Sequence, residues 1–150
     1  MKQLAKIALL LLSGIFMLSA CNCKLRKAQD LNGLWSVSFM DGRSMGASND
    51  KLTLQINTQA AQAGGIGICN RYSCDLDTSR IKDGKIGFAN VISTRVGCDG
   101  NGLESMLFSR LSGVTEYTIK GNKLILTGKD SGGNKVRLDL VRKPLEVKTK

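Results

Sequence analysis

The sequence predicts an α+β fold in which a curved antiparallel β-sheet, partly barrel-like, packs around a single α-helix. Three observations carry this expectation. Short segments alternate apolar with polar residues at period two, one segment repeats its apolar residues at helical spacing, and turn signals separate them. Residues 33–39 read as the first strand, and residues 52–56 alternate Leu52, Leu54 and Ile56 with Thr53 and Gln55. Over residues 64–69 glycines alternate with Ile66 and Ile68, the pattern of a strand whose glycine face is approached by another backbone or a helix. Residues 85–89 form a further short strand. Leu103, Met106, Leu107, Leu111 and Val114 recur at helical spacing, and Asn101 with Glu104 three positions later supplies the helix start. Gly121-Asn122 is a two-residue turn between strands at 115–120 and 123–127. Residues 131–134 turn the chain again before Val136, Leu138 and Leu140 alternate with Lys135, Arg137 and Asp139 in a final half-buried strand. A helix laid on the apolar face of such a sheet buries both elements in one two-layer core.

The chain opens with Lys2 and Lys6, an apolar stretch over residues 7–17 broken by Ser13-Gly14, and Leu18-Ser19-Ala20 directly before Cys21. This is a signal peptide ending in a lipidation site. Its basic end stays cytosolic, its apolar stretch is too short for a confident span, and the small Ser19 and Ala20 admit a peptidase. The expected organisation is a lipoprotein signal peptide at residues 1–20, the lipidated Cys21 and a short tether at 21–30, one domain at 31–142 and a basic tail at 143–150. Two or more acyl chains on Cys21, at about 0.8 kcal/mol per buried methylene, make the attachment effectively permanent. Asn22 is not the aspartate that commonly follows the lipidated cysteine of enteric lipoproteins held at the inner membrane. By resemblance to those proteins, the expected location is the outer membrane, lipid-anchored on its periplasmic side.

The 22 basic and 12 acidic residues give a net charge of +10, and removal of Lys2 and Lys6 with the leader leaves +8. An exported chain rarely meets nucleic acid, and one Trp and two Tyr make a poor stacking platform, so nucleic-acid binding is not expected. Lys24, Arg26 and Lys27 follow the anchor, where each gains about 1 kcal/mol from an anionic leaflet or simply solvates the linker. No histidine is present, which removes Ser-His-Asp and Cys-His mechanisms and leaves a poor ligand set for zinc. Asp75, Asp77, Asp83 and Asp99 read as loop acids. No catalytic residue, metal or cofactor is expected. Beside Cys21, the residues Cys23, Cys69, Cys74 and Cys98 form an even set in a compartment that permits disulfides. Four cysteines allow three pairings, and buried free thiols are the alternative.

Three segments occur in order: Leu31-Asn32-Gly33-Leu34-Trp35, Gly67-Ile68-Cys69-Asn70-Arg71-Tyr72, and Ser93-Thr94-Arg95-Val96-Gly97-Cys98 before the helix. Together they resemble the META domain, the HslJ-like family, which shows an L-x-G-x-W start, a G-C-N-R-[FY] segment, a T-x-x-x-C segment leading into a helix, and a closing hairpin. The resemblance covers residues 31–140. Two positions depart from it: Ile68 stands where the family usually has glycine directly before cysteine, and Cys74 stands where glycine commonly follows the aromatic residue. The resemblance implies a small strand-rich fold around one helix, frequent in bacterial envelope lipoproteins. Members are linked to heat-stress or antibiotic-tolerance phenotypes, with no established catalytic activity.

The same resemblance implies Cys69 with Cys98 as the preferred disulfide, because the motif places both segments beside the helix, and Cys23 with Cys74 as the weaker pairing. Closing the Cys69–Cys98 loop contributes about 3 kcal/mol on the chain-entropy model. Asn70, Arg71 and Tyr72 are the candidate ligand contacts, since an amide, a guanidinium and an amphipathic ring together can hold an acidic or glycan ligand. The competing structural account gives Asn70 to a turn, pairs Arg71 with a carboxylate such as Asp75, and packs the Tyr72 ring while its hydroxyl stays wet. Trp35 is expected in the core. The expected function is that of a non-enzymatic cell-envelope lipoprotein, in contact with the membrane through its anchor, that binds or stabilises an envelope protein partner in a stress or maintenance role. The alternatives are a small-ligand or lipid-binding periplasmic carrier, which needs an apolar cavity beside the helix, and an unrecognised hydrolase.

Overall fold

Alternation along the chain becomes sheet in the computed structural model, which describes residues 31–97 and 102–144, with backbone alone at residues 47–49. The leader, Cys21, Cys23, Cys98, Asp99, Asn101 and the tail beyond Pro144 lie outside the described residues. The strands are β1 (Gly33–Met40), β2 (Arg43–Ser44), β3 (Thr53–Asn57), β4 (Gln62–Ile66), β5 (Arg71–Asp77), β6 (Gly87–Ser93), β7 (Val114–Lys120), β8 (Lys123–Lys129) and β9 (Lys135–Arg142). All pair antiparallel in one sheet of order β6-β5-β4-β3-β1-β9-β8-β7, with β2 beside β1. The α-helix α1 (Leu103–Ser112) lies against the sheet, as the α+β reading anticipates.

The sheet curls into a half-barrel because one face must be buried along its whole width. Trp35, Val37, Leu54, Ile56, Tyr72, Leu76, Leu124, Leu126, Leu138 and Leu140 all turn to that face. Its two edge strands approach each other at one end only. There Lys85 bridges to Glu116, Ile86 N donates to the Thr115 carbonyl at 3.2 Å, and the buried Tyr117 hydroxyl donates to the Ile81 carbonyl at 2.7 Å. Elsewhere α1 covers the gap, with Leu107 and Leu111 wholly buried. The helix is tied down at its C-terminal end by Arg110, whose guanidinium meets Asp41 of the β1–β2 turn at 2.6 Å and Asp130 of the β8–β9 turn at 3.3 Å.

The first motif segment proves architectural. Trp35 is buried, and its indole N–H donates to the Leu31 carbonyl at 2.9 Å. The Arg142 guanidinium stacks 4.1 Å above the indole ring and donates to the Asn32 carbonyl at 2.8 Å. Gly33, at φ +126°, gives room for this clasp, since a Cβ there would stand 2.9 Å from the guanidinium. Arg142 thereby joins the last strand to the start of the first.

Three local expectations are corrected. Residues 71–77 form strand β5, although its acids read as loop; Tyr72, Cys74 and Leu76 point inward while Arg71, Ser73, Asp75 and Asp77 face solvent. The strand placed at 85–89 begins two residues later and runs to Ser93. Val114 opens β7 instead of ending the helix, and α1 starts behind Gly102, at φ 72°, with no side-chain cap. Glu104 is committed elsewhere, as described below.

Replacing Leu111 by alanine should remove the side chain that plugs the half-barrel and lower stability by about 2–5 kcal/mol. Urea unfolding followed by Trp35 fluorescence reads this, and a loss below about 1 kcal/mol would show that the sheet holds its curl without the helix.

Candidate functional site

The β4–β5 connection carries the second motif segment, and its conformation follows from one carboxylate. Glu104, in the first turn of α1, accepts the Asn70 backbone N–H at 2.8 Å and the Asn70 side-chain N–H at 2.6 Å. Asn70 also donates to the Val96 carbonyl at 3.1 Å, and its carbonyl oxygen accepts the Val96 N–H at 2.7 Å and the Thr94 hydroxyl at 2.9 Å. Two donors and two acceptor positions exhaust what an asparagine side chain offers. Asn70 is therefore a buried junction of three segments and has no free group for a ligand.

Gly67 explains how the helix comes so close. A Cβ there would lie 2.8 Å from the Glu104 side chain and 2.9 Å from the Phe108 ring, so only glycine lets the loop and α1 meet. Ile68 next to it holds φ at +93°, a conformation that costs a β-branched residue strain, and it occupies the position where the family pattern has glycine. The hydrogen bonds that pin Gly67 N to the Asn70 carbonyl and Ile68 N to the Lys51 carbonyl hold it there.

Tyr72 is as buried as Asn70. Its ring packs 5.0 Å from Phe108, and its hydroxyl donates to the Thr53 carbonyl at 2.7 Å instead of reaching water. Burial pushes its phenol well above the usual value, with Cys74 adding to the shift. Cys74 is a free, buried thiol that contacts the Ala63 carbonyl at 3.5 Å, which corrects the pairing expected with Cys23. It points into the core from the middle of β5, and burial, reinforced by Asp75, raises its pKa to about 11. Cys69 is exposed in the loop and is not a free thiol.

Of the three candidate ligand contacts, Arg71 alone presents its functional group to solvent. The expected pairing with Asp75 does not form; Asp75 accepts the Asn90 amide at 2.7 Å, and no carboxylate among the described residues pairs with Arg71. The backbone of Arg71 is fixed from the residue that follows β6: its N–H donates to the Thr94 hydroxyl and its carbonyl accepts the Thr94 N–H. Its side chain stands between two grooves on the outer face of the sheet. The larger, about 600 Å³, lies over Gly64 and Gly65 and is bordered by Leu34, Gln55, Asn57, Gln62, Ile66 and Lys143. The smaller, about 400 Å³, is bordered by Ser73, Ile92, Ser93 and Thr94.

A Cβ on Gly64 would strike the Tyr72 carbonyl and one on Gly65 the Thr53 carbonyl, so only glycine fits at these two positions along the larger groove. Ile66 pairs across from Arg71, and Ile92, 67% exposed, pairs with Ser73 one row away. The result is a guanidinium without an ion-pair partner among the described residues, flanked by exposed aliphatic side chains and amides, with the Lys143–Asp50 ion pair also bordering the larger groove. Sequence reasoning found Arg71 but not Ile66, Ile92 or the groove. Ile92 follows the partly buried Val91 in β6 and so falls on the outer face, beyond the segment 85–89 that the sequence marks as strand.

Two predictions follow from these contacts. Glu104→Ala should strand two buried donors of Asn70 and cost about 2–4 kcal/mol, with Glu104→Gln losing less because one acceptor survives; urea midpoints of the two variants check the order. Cys74 and Tyr72 both have folded-state pKa values raised above their unfolded ones, so the stability they contribute is complete below pH 9 and is lost as pH rises toward 11 and beyond. The urea midpoint should stay level on their account up to pH 9 and fall above it, with the onset shifted to higher pH in Cys74→Ala. A midpoint that rises over that interval contradicts the burial argument.

A family model described as META domain matches residues 29–143 of the chain. Among solved structures, an NMR structure of a protein from Burkholderia xenovorans is similar at TM-score 0.55 and 22% identity, over 79% of this chain and 87% of that one. A crystal structure of a DUF4847 family protein from Bacteroides vulgatus is similar at TM-score 0.50 and 11% identity, over 75% of this chain and 94% of that one. At these identities the two structures speak for the fold alone. No curated protein matches the chain.

Proposed function

The chain belongs to the META domain family, and on that premise we propose that it is a non-enzymatic cell-envelope lipoprotein that holds an envelope protein partner at the Arg71 surface. The observation that carries the reading is the exposed Arg71, unpaired among the described residues and set between two grooves beside Ile66 and Ile92. Arginine among exposed aliphatic groups is the composition from which binding hot spots are made, and the partner it fits is an acidic segment of an envelope protein. The role is envelope maintenance or stress tolerance.

Attachment is through acyl chains on Cys21, from the periplasmic side of the outer membrane. The lipobox Leu18-Ser19-Ala20-Cys21 supports it. A disulfide between Cys69 and Cys98 belongs to the same reading. The bonded state of the Cys69 sulfur supports it, as does the free thiol at Cys74. The interior of the half-barrel is filled by Trp35, Leu107, Leu111, Leu126 and Leu138, which favours a partner on the outer face over a carrier with an apolar cavity. The high pKa of the buried Cys74 thiol leaves little nucleophile there at neutral pH, in keeping with a binding role.

Site-specific photocrosslinking in cells, with the crosslinker at Ile66 or Ile92 and a control at Thr118 on β7, tests the surface. Specific adducts are expected at the first two positions, reduced about fivefold or more by Arg71→Ala. Equal yields at all three positions, or no effect of Arg71→Ala, would remove the assignment. Intact mass of the native chain and of Cys21→Ser reads the anchor independently.

A further inference from the structure

We propose that the end of the half-barrel where the chain enters docks on an anionic lipid leaflet through Lys82, Lys120 and Lys123. The inference rests on the lipoprotein reading, because it takes Cys21 as the membrane anchor. The described chain begins at Leu31, beside the Arg142–Trp35 clasp, and Lys143 N–H donates to the Leu34 carbonyl at the same end. From that clasp the surface continues to the β7–β8 turn, since Arg142 N–H donates to the Asn122 carbonyl. It continues again to the turn between β5 and β6, since Tyr117 bonds the Gly84 and Ile81 carbonyls. The exposed Lys120 and Lys123 flank the first turn, and the exposed Lys82 sits in the second.

None of these three lysines has an ion-pair partner among the described residues. Among the described residues, three acids lie beside these two turns. Glu116 is held by Lys85, Asp77 accepts the Ser79 N–H and hydroxyl, and Asp83 is exposed. Among the described residues, the large exposed apolar side chains, Phe39, Ile66, Ile92 and Val96, are elsewhere, so the contact these lysines make is with headgroups.

Net charge alone does not choose this face, because Lys129 and Lys135 are exposed at the opposite end. The tether chooses it. Ten residues reach at most about 35 Å, and leaflet attraction fades within about 10 Å, so the end that carries the chain entry samples the charged layer far more often. Each lysine in that layer favours contact about fivefold. Docked this way, Arg71 and the smaller groove, at the opposite end of β5 from Lys82, stay open to a partner.

The native lipidated chain in vesicles of phosphatidylcholine, with or without phosphatidylglycerol, tests the docking through lysine acetylation by a membrane-impermeant reagent. Acetylation at Lys82, Lys120 and Lys123 should slow about threefold or more when phosphatidylglycerol is present, with Lys129 and Lys135 unchanged, and 1 M salt should abolish the difference. Equal protection at both ends, or none at either, overturns the proposal. Protection of the same lysines by a soluble acidic polysaccharide, without any by phosphatidylglycerol, also overturns it by replacing the leaflet with a glycan. Intact mass of the same sample separates the two failures. Acylated protein without protection overturns the docking alone, whereas protein without acyl chains overturns the anchor and the docking with it.

Discussion

An antiparallel sheet that curls without closing leaves an open flank, and the burial of α1 across that flank is the constraint on which the rest of the structure depends. Leu107 and Leu111 complete a core that the strands cannot complete themselves, because β6 and β7 meet at one end only. A ten-residue helix has little stability of its own, so its place is set by the contacts it makes. Two of these are polar and sit at its ends. Glu104 binds the β4–β5 loop through Asn70, and Arg110 binds two turns through Asp41 and Asp130.

The candidate surface is a consequence of the same packing. Glu104 fixes Asn70, Asn70 fixes the segment from Thr94 to Val96, and Thr94 fixes the backbone of Arg71. Arg71 is thus presented by a hydrogen-bonded support centred on the buried Asn70, while its own side chain is exposed. The three adjacent residues Asn70, Arg71 and Tyr72 look equivalent as a motif, yet two of them serve the fold. The strand pleat separates them: Tyr72 turns inward to Phe108 and Thr53, and its neighbour turns out. The Arg71 side chain and the aliphatic side chains of Ile66 and Ile92 are left exposed on the outer face.

The first motif segment carries a similar lesson. Gly33 and Trp35 are required by the clasp with Arg142, a residue more than a hundred positions later, which makes the beginning and end of the domain one unit. The same end carries the exposed lysines of two turns, whereas Arg71 stands at the opposite end of β5. Burial of Cys74 and Tyr72 in β5 adds an alkaline limit to stability without adding chemistry at neutral pH.

Periodicity by itself determined the α+β class, the closing hairpins and the core of Trp35, Leu54, Leu107, Leu111 and Leu138, because these depend on which face each residue occupies in a local repeat. The same sequence named Arg71 and anticipated that another backbone or a helix would approach the glycines of residues 64–69; backbone meets Gly64 and Gly65, and the helix meets Gly67. Tertiary structure alone decided the rest. Strand β5 was obscured by its solvent-facing acids, whose meaning depends on a neighbour strand supplying the ladder. Glu104 resembled a local cap but serves Asn70, thirty-four positions earlier. Gly64 and Gly65, which line the larger groove, are required by the Tyr72 and Thr53 carbonyls that crowd them. Each of these rests on contacts between residues remote in the chain, and a local pattern records the residue that makes such a contact without recording its partner.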